Sequence, residues 1–217
     1  MQDDAVITPG GVEGVLFDLL MGIMNSMATW SAAAHDRQRG LAWRDRVTAR
    51  MVASGSYVPY AEMVAEAANE IGLPANATAE LIRRWSEMQP WPDATALVDL
   101  SLPYAFVTNC SAELAGSAAR RSGLDPRFTL SAQEAGWFKP DARVYRQACL
   151  RLGTTPERTM FVAGSRYDAD GAHAAGLRAL YVARRRNGQP ADRSISTISS
   201  LESVRRSISP FAGQPRW

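Results

Sequence analysis

The chain has 217 residues, 46% hydrophobic and 21% charged, enough apolar material for one α/β domain or a core domain with a small insert. Its 24 basic and 22 acidic side chains leave a formal charge of +2, too small for the electrostatic footprint of a nucleic-acid binder. No stretch approaches the ~20 consecutive apolar residues of a membrane-spanning helix, so neither nucleic acid nor membrane is expected as a partner.

The N-terminal MQDDAVITPGG is acidic and lacks the basic segment and apolar run of a secretion signal, so a cytoplasmic location is expected. The first strand candidate is GVLFDLL (14–20), an apolar run interrupted by Asp18. A carboxylate there is costly to desolvate, which marks it as paired, metal-bound or chemically employed. From 24 to 90 only helical patterns follow: TWSAAAHDRQRGLAWRDRVTARMVAS (29–54), PYAEMVAEAANEIG (59–72) and NATAELIRRWSEM (76–88). Trp30, Trp43, Trp85 and Trp91 concentrate in or beside this region and read as core packing, with Trp30 or Trp43 able to wall a pocket. His35 falls inside the first helical pattern, and neither it nor His173 has a partner at metal-ligand spacing.

Beyond residue 90 strands and helices alternate. The strand candidates are YAFVTN (104–109), RTMFVAGS (158–165) and RALYVAR (178–184), with a shorter one in RFTLSA (127–132). The first three are apolar on both faces, as parallel strands covered by helices are. Between them lie SAELAGSAARRSG (111–123), with a Ser cap and a terminal Gly, PDARVYRQACLRLG (140–153), with Pro in its first turn, and DADGAHAAG (168–176). Right-handed crossovers then give a doubly wound parallel sheet. The span from Asp18 to Tyr104 is too long for one crossover, so an all-helical insert (24–90) leaves after strand one and returns near QPWPDA, the core being 1–23 and 91–217. Cys110 and Cys149 form no metal or redox spacing and read as buried free thiols. ARRRNG (183–188) reads as a solvated loop, and PFAGQPRW (210–217) as a loose tail.

In an open α/β sheet, ligands bind outside the carboxyl ends of the strands. Asp18, Thr108, Asn109 and Ser165 fall at such ends, with Lys139 in GWFKPDARVY and Asp168 three residues after Ser165. In this order they resemble the haloacid dehalogenase superfamily of aspartate-nucleophile hydrolases, over roughly residues 13–205. The resemblance implies a Rossmann-like α/β core with a helical cap inserted after strand one. It also implies that Asp18 attacks the substrate, Thr108 and Asn109 bind its anionic part, Lys139 orients the nucleophile and Asp168 supports Lys139.

Departures from the family pattern narrow the branch. Phosphatases of the superfamily carry a second Asp two residues after the first, where this chain has Leu20, and an acid in the strand-four loop, which here reads Ala163-Gly164-Ser165. Magnesium is bound through carboxylates and substrate phosphate, and too few carboxylates remain. The L-2-haloacid dehalogenase branch shares these losses. KPDARVY resembles its KPDxRVY pattern, placing Tyr145, and AWRDRV resembles the site of its arginine, placing Arg44 over the leaving group or substrate carboxylate. Even there, Leu20-Met21-Gly22 replaces Tyr-Gly-Thr, and Ala163 and Ser165 stand where Ser and Asn are usual, making the pocket more apolar.

The resemblance implies metal-independent and cofactor-free hydrolysis of a small 2-substituted carboxylic acid through a covalent ester. Asp18, Lys139 and Asp168 are the catalytic candidates; Arg44, Thr108, Asn109, Leu20, Ser165 and Tyr145 are those for substrate binding. Alternatives are ring opening of azetidine-2-carboxylate by the same chemistry, a magnesium phosphatase with unusual ligands, and a non-catalytic small-molecule-binding relative. A homodimer stays open.

Overall fold

The computed structural model describes residues 11–184 and 195–208. The N-terminal segment through residue 10, most of ARRRNG and the PFAGQPRW tail lie outside the described residues. Six parallel strands form one sheet in the order β3-β2-β1-β4-β5-β6: β1 (Gly14–Asp18), β2 (Tyr104–Thr108), β3 (Thr129–Ser131), β4 (Thr159–Ala163), β5 (Arg178–Val182) and β6 (Ser196–Ile198). β1 is central, with Val15 beside Tyr104 of β2 on one side and Met160 of β4 on the other.

Every residue of β1, β2 and β4 is buried, as the apolar runs require of strands covered on both faces. Period-two alternation sends Val15, Phe17, Phe106 and Val162 into one core, and Leu16, Ala105, Val107 and Phe161 into the other. The second core is closed by α6 (Ala132–Ala135), α7 (Ala142–Leu152) and α8 (Arg166–Ala174), which bring Ala135, Tyr145, Ala148, Ala169 and Ala172. The first is closed by α5 (Ala112–Arg121) and by the helices that follow β1.

Those helices are α1 (Ser26–Ala33), α2 (Arg37–Ser54), α3 (Tyr60–Glu70) and α4 (Ala77–Arg84). The single helical pattern expected over 29–54 is broken: His35 sits in a turn at φ 53°, not on a helix. The break has a local cause. Asp36 accepts a hydrogen bond from the Arg39 amide at 2.7 Å and so starts a new helix. Gly40 then lets α2 lie against the Ser31 backbone of α1, where an added Cβ would come within 2.7 Å. Trp43 packs edge-on to Trp30 at 4.9 Å, and its indole donates to the Val64 carbonyl at 2.9 Å, joining α1, α2 and α3. The Trp85 indole donates to the Leu114 carbonyl at 3.0 Å, tying the helical segment to α5.

The chain leaves and rejoins the sheet region at one place. Met24 and Pro90 pair in an antiparallel bridge, the Asn25 amide donates to the Gln89 carbonyl at 2.9 Å, and the Trp91 amide donates to Ile23 at 2.8 Å.

Other boundaries also differ from expectation. Strand one stops at Asp18, and Leu19–Ile23 form a π turn instead of continuing the strand to 20. Pro140 lies outside α7, whose cap is Asp141, bonded to the Arg143 amide at 2.9 Å. Among the described residues no helix is long and apolar enough to cross a membrane.

Candidate active site

Because β1 is flanked by β2 on one side and β4 on the other, the connections leaving its carboxyl end diverge and open a crevice there. Asp18, the last residue of β1, stands in it. Lys139 reaches the same point from the loop before α7, and Asp168 from the first turn of α8, which starts two residues before the helical stretch expected from 168. All three are nearly inaccessible, at 6%, 1% and 0% exposure.

The Lys139 ammonium lies 3.0 Å from Asp18 Oδ1, 2.6 Å from Asp168 Oδ2 and 3.3 Å from the Val107 carbonyl, so its three donors all have acceptors. Burial alone would lower its pKa, but Asp168 and Asp18 outweigh burial and the net shift is upward, which keeps the cation charged. Burial pushes the Asp168 carboxyl up, against the pull of Lys139 and with repulsion from Asp18 adding to it. Two carboxylates therefore share one ammonium, each through a direct ion pair.

Asn109 fixes the lysine from behind. Its amide donates to the Lys139 carbonyl at 2.8 Å and its Oδ1 accepts from the Lys139 amide at 2.7 Å. Tyr145 was expected to touch substrate. It is fully buried on α7 and does not line the cavity; its hydroxyl donates to Asp168 Oδ1 at 2.5 Å. The reason is helix position: residues four into α7 point back at the sheet, toward Phe161, against which the Tyr145 ring packs at 5.1 Å. Thr108 ends β2, as expected, but is likewise set back from the cavity. It is fully buried, its Oγ1 lies 3.6 Å from Cys110 Sγ, and it does not line the cavity. Cys110 and Cys149 are buried free thiols.

A cavity of about 50 Å³ opens above Asp18. Of the expected residues, Asp18, Leu20, Arg44, Asn109, Lys139 and Ser165 line it. Arg44 enters from α2 with its side chain 18% exposed and pairs with the neighbouring Asp45 at 3.3 Å. Trp30, Met21, Ser26, Tyr60 and Tyr167 complete much of the wall. Tyr167 had a findable signal, lying between Ser165 and Asp168. Tyr60 had none, because only the packing of α3 on α2 brings it to the cavity.

The π turn that presents Leu20 and Met21 is braced from outside. The Trp91 indole donates to the Met21 carbonyl at 3.0 Å, and Arg184 donates to the Gly22 carbonyl at 2.7 Å. Asp93 holds Arg184 through both oxygens, at 2.8 and 2.6 Å, and also accepts from the Leu201 amide at 2.9 Å. Gly164 packs against the same turn; a Cβ there would fall 2.3 Å from the Gly22 nitrogen. Among the described residues no three His, Cys, Asp or Glu side chains form a metal-holding group.

Residues 13–176 match the family model of haloacid dehalogenase-like hydrolases. A curated (S)-2-haloacid dehalogenase 4A from Burkholderia cepacia is 32% identical over 113 residues, 49% of either protein, so the chain aligns with only about half of that relative's length. Phosphatase MT3486 of Mycobacterium tuberculosis is 30% identical over 157 residues, 67% of this chain and 70% of the phosphatase. The fold is also that of an L-2-haloacid dehalogenase from Xanthobacter autotrophicus, solved with chloropropionic acid covalently bound (TM-score 0.74, 19% identity, 90% of this chain and 97% of that one).

Proposed function

The chain belongs to the haloacid dehalogenase-like hydrolases, and from that premise we propose that it hydrolyses a small 2-substituted carboxylic acid at its α-carbon, without a metal ion, using Asp18 as nucleophile. The observation that carries this reading is the buried Asp18–Lys139–Asp168 cluster at the floor of a cavity with Leu20 in its wall. A carboxylate becomes an effective nucleophile when it is held ionised, aimed, and out of bulk water. Lys139 supplies the first two, and burial the third. Asp18 displaces the leaving group and forms an ester; water then attacks the ester carbonyl and frees the hydroxy acid. The Arg44 guanidinium suits the substrate carboxylate or the departing group, since its planar fork stays charged. Positions 24–90 act as a cap that carries Arg44 over the nucleophile. The dehalogenase relatives support a halide as leaving group, and an amine of a strained ring is the alternative.

The phosphatase among the relatives favours a second reading, magnesium-dependent phosphoryl transfer. The donor set does not fit it. Asp18 and Asp168 both spend an oxygen on Lys139, and Leu20 can neither ligate a cation nor move a proton. A substrate panel of 2-haloacids, azetidine-2-carboxylate and phosphate esters, assayed with and without EDTA, separates the readings. Turnover that survives EDTA is expected; strict magnesium dependence with phosphate release would refute it. In ¹⁸O-water, a single turnover with enzyme in excess should leave the label on Asp18 and none in the product. Label in first-turnover product would exclude the ester.

A further inference from the structure

Just beyond Asp18 the backbone is gripped from outside, and the chemistry above gives that grip no task. The π turn Leu19–Ile23 closes through the Met24 amide, which donates to the Leu19 carbonyl at 2.8 Å. Three consecutive carbonyls of the turn are then taken by groups from elsewhere in the chain. Met21 accepts from the Trp91 indole at 3.0 Å, Gly22 from the Arg184 guanidinium at 2.7 Å, and Ile23 from the Trp91 amide at 2.8 Å. The guanidinium lies 4.9 Å above the Trp91 ring and is gripped by both oxygens of Asp93. Trp91 and Asp93 from the returning chain and Arg184 from the end of β5 thus form one cradle around the turn. The Arg184 side chain is 8% exposed, so this ion pair is largely shielded from water. A turn needs no such restraint merely to change direction, and π turns concentrate at functional sites.

What the turn carries is cavity wall. Leu20 and Met21 line the space above Asp18, and the Met21 sulfur accepts from the hydroxyl of Ser26, itself a lining residue, at 3.2 Å. Asp18 has anchors of its own. It ends a strand paired on both sides and meets Lys139 at 3.0 Å, and none of these contacts passes through Gly22. Building on the Asp18 nucleophile, we infer that Arg184 is a positioning residue: by fixing the Gly22 carbonyl it sets where Leu20 and Met21 stand against the bound acid. It thereby governs how tightly the substrate is held while touching neither substrate nor nucleophile. In a cavity of about 50 Å³, displacing this wall is felt by any occupant, whereas the carboxylate that attacks keeps its aim. Loss of the grip therefore falls on binding and spares the chemical step.

The test is kcat and KM, measured separately, for the wild type, Arg184→Met, Arg184→Lys and Trp91→Phe on 2-chloropropionate and on azetidine-2-carboxylate, with thermal melts of each protein. Arg184→Met removes the donor to Gly22 and should raise KM about ten- to a hundredfold, the effect of misplacing a contact group by about 1 Å, with kcat little changed. Arg184→Lys keeps the charge beside Asp93 but lacks the fork that serves Asp93 and Gly22 together, so its KM should fall between the two. Trp91→Phe keeps a ring under the guanidinium and removes only the donor to Met21. It should raise KM in the same direction, and it carries the test if Arg184→Met does not fold. A lower melting temperature with unchanged KM in the folded variants would overturn the inference, because the cradle would then serve stability alone. A fall in kcat with KM unchanged would also overturn it, because the turn would then be aiming Asp18. A wild type that turns over neither acid would overturn the nucleophile reading and this inference with it.

Discussion

Replacing Lys139 by Met removes a cation and leaves its partners in place. Met has similar length and fills the same buried channel between β2 and α8, so the change is chiefly electrostatic. Two carboxylates and the Val107 carbonyl lose their shared donor in a site that water scarcely reaches. Breaking a buried ion pair by deleting one member costs about 3–5 kcal/mol, because the other charge is stranded. For a chain of this size each kcal/mol moves Tm by about 2–4 °C, so a drop of roughly 6–20 °C is expected at neutral pH. The sign of the pH dependence follows from Asp168. With Lys139 gone, burial and Asp18 both push its carboxyl up and the ammonium no longer pulls it down. A folded pKa raised above the unfolded one gives stability that is present at low pH and lost as pH rises through the folded value. The deficit of the variant against wild type should therefore be largest at pH 7–8 and shrink on acidification toward pH 5. Urea titrations and thermal melts across that range measure it. A deficit below about 1 kcal/mol, or one independent of pH, would show that the carboxylates are not held charged by Lys139.

Arg44→Lys keeps the charge and loses the fork, so kcat/KM should fall roughly ten- to a hundredfold with an unchanged melt, as for a lost hydrogen bond to a charged group; near-normal kinetics would return Arg44 to a solvated helix face. Gly164→Ala forces a methyl into the Gly22 backbone, and a loss of about 1–3 kcal/mol in denaturant midpoint, with reduced kcat/KM as Leu20 and Met21 are displaced, is expected; wild-type stability in that variant would mean the turn yields freely. In the wild type, mild acidification should lower activity and favour stability through the same group. The Asp168 carboxyl titrates above the ordinary range, so its protonation releases Lys139 while relieving a buried charge. An acid limb in kcat/KM no higher than that of an exposed aspartate would contradict this.

The three charged residues of the site were legible because each sits at a place with its own signal: an acid interrupting an apolar run, a Lys-Pro before a helix, an acid following a buried strand. Tyr145 and Thr108 were put at the substrate by resemblance alone, and strand and helix patterns, which give order along the chain but not which side of an element meets a cavity, could not show that both lie outside its wall. The π turn at Leu19–Ile23 was hidden because five apolar residues after a strand look like more strand. β6 was invisible for the opposite reason: Ser196, Thr197 and Ile198 make three partly exposed edge residues with no apolar run. Asp36, by contrast, is a helix cap that could have been read, and it explains why the first helical pattern divides.

The brace around Arg184 joins four distant points of the chain: Gly22, Asp93, Arg184 and Leu201. Its guanidinium holds the backbone of the turn that shapes the cavity, while the carboxylate that clamps it also holds the first amide before α9 (Glu202–Ile208). The wall of the cavity and the start of the last described helix therefore hang on one carboxylate, Asp93, and a change that removed it would release the Gly22 turn's clamp and the Leu201 amide together.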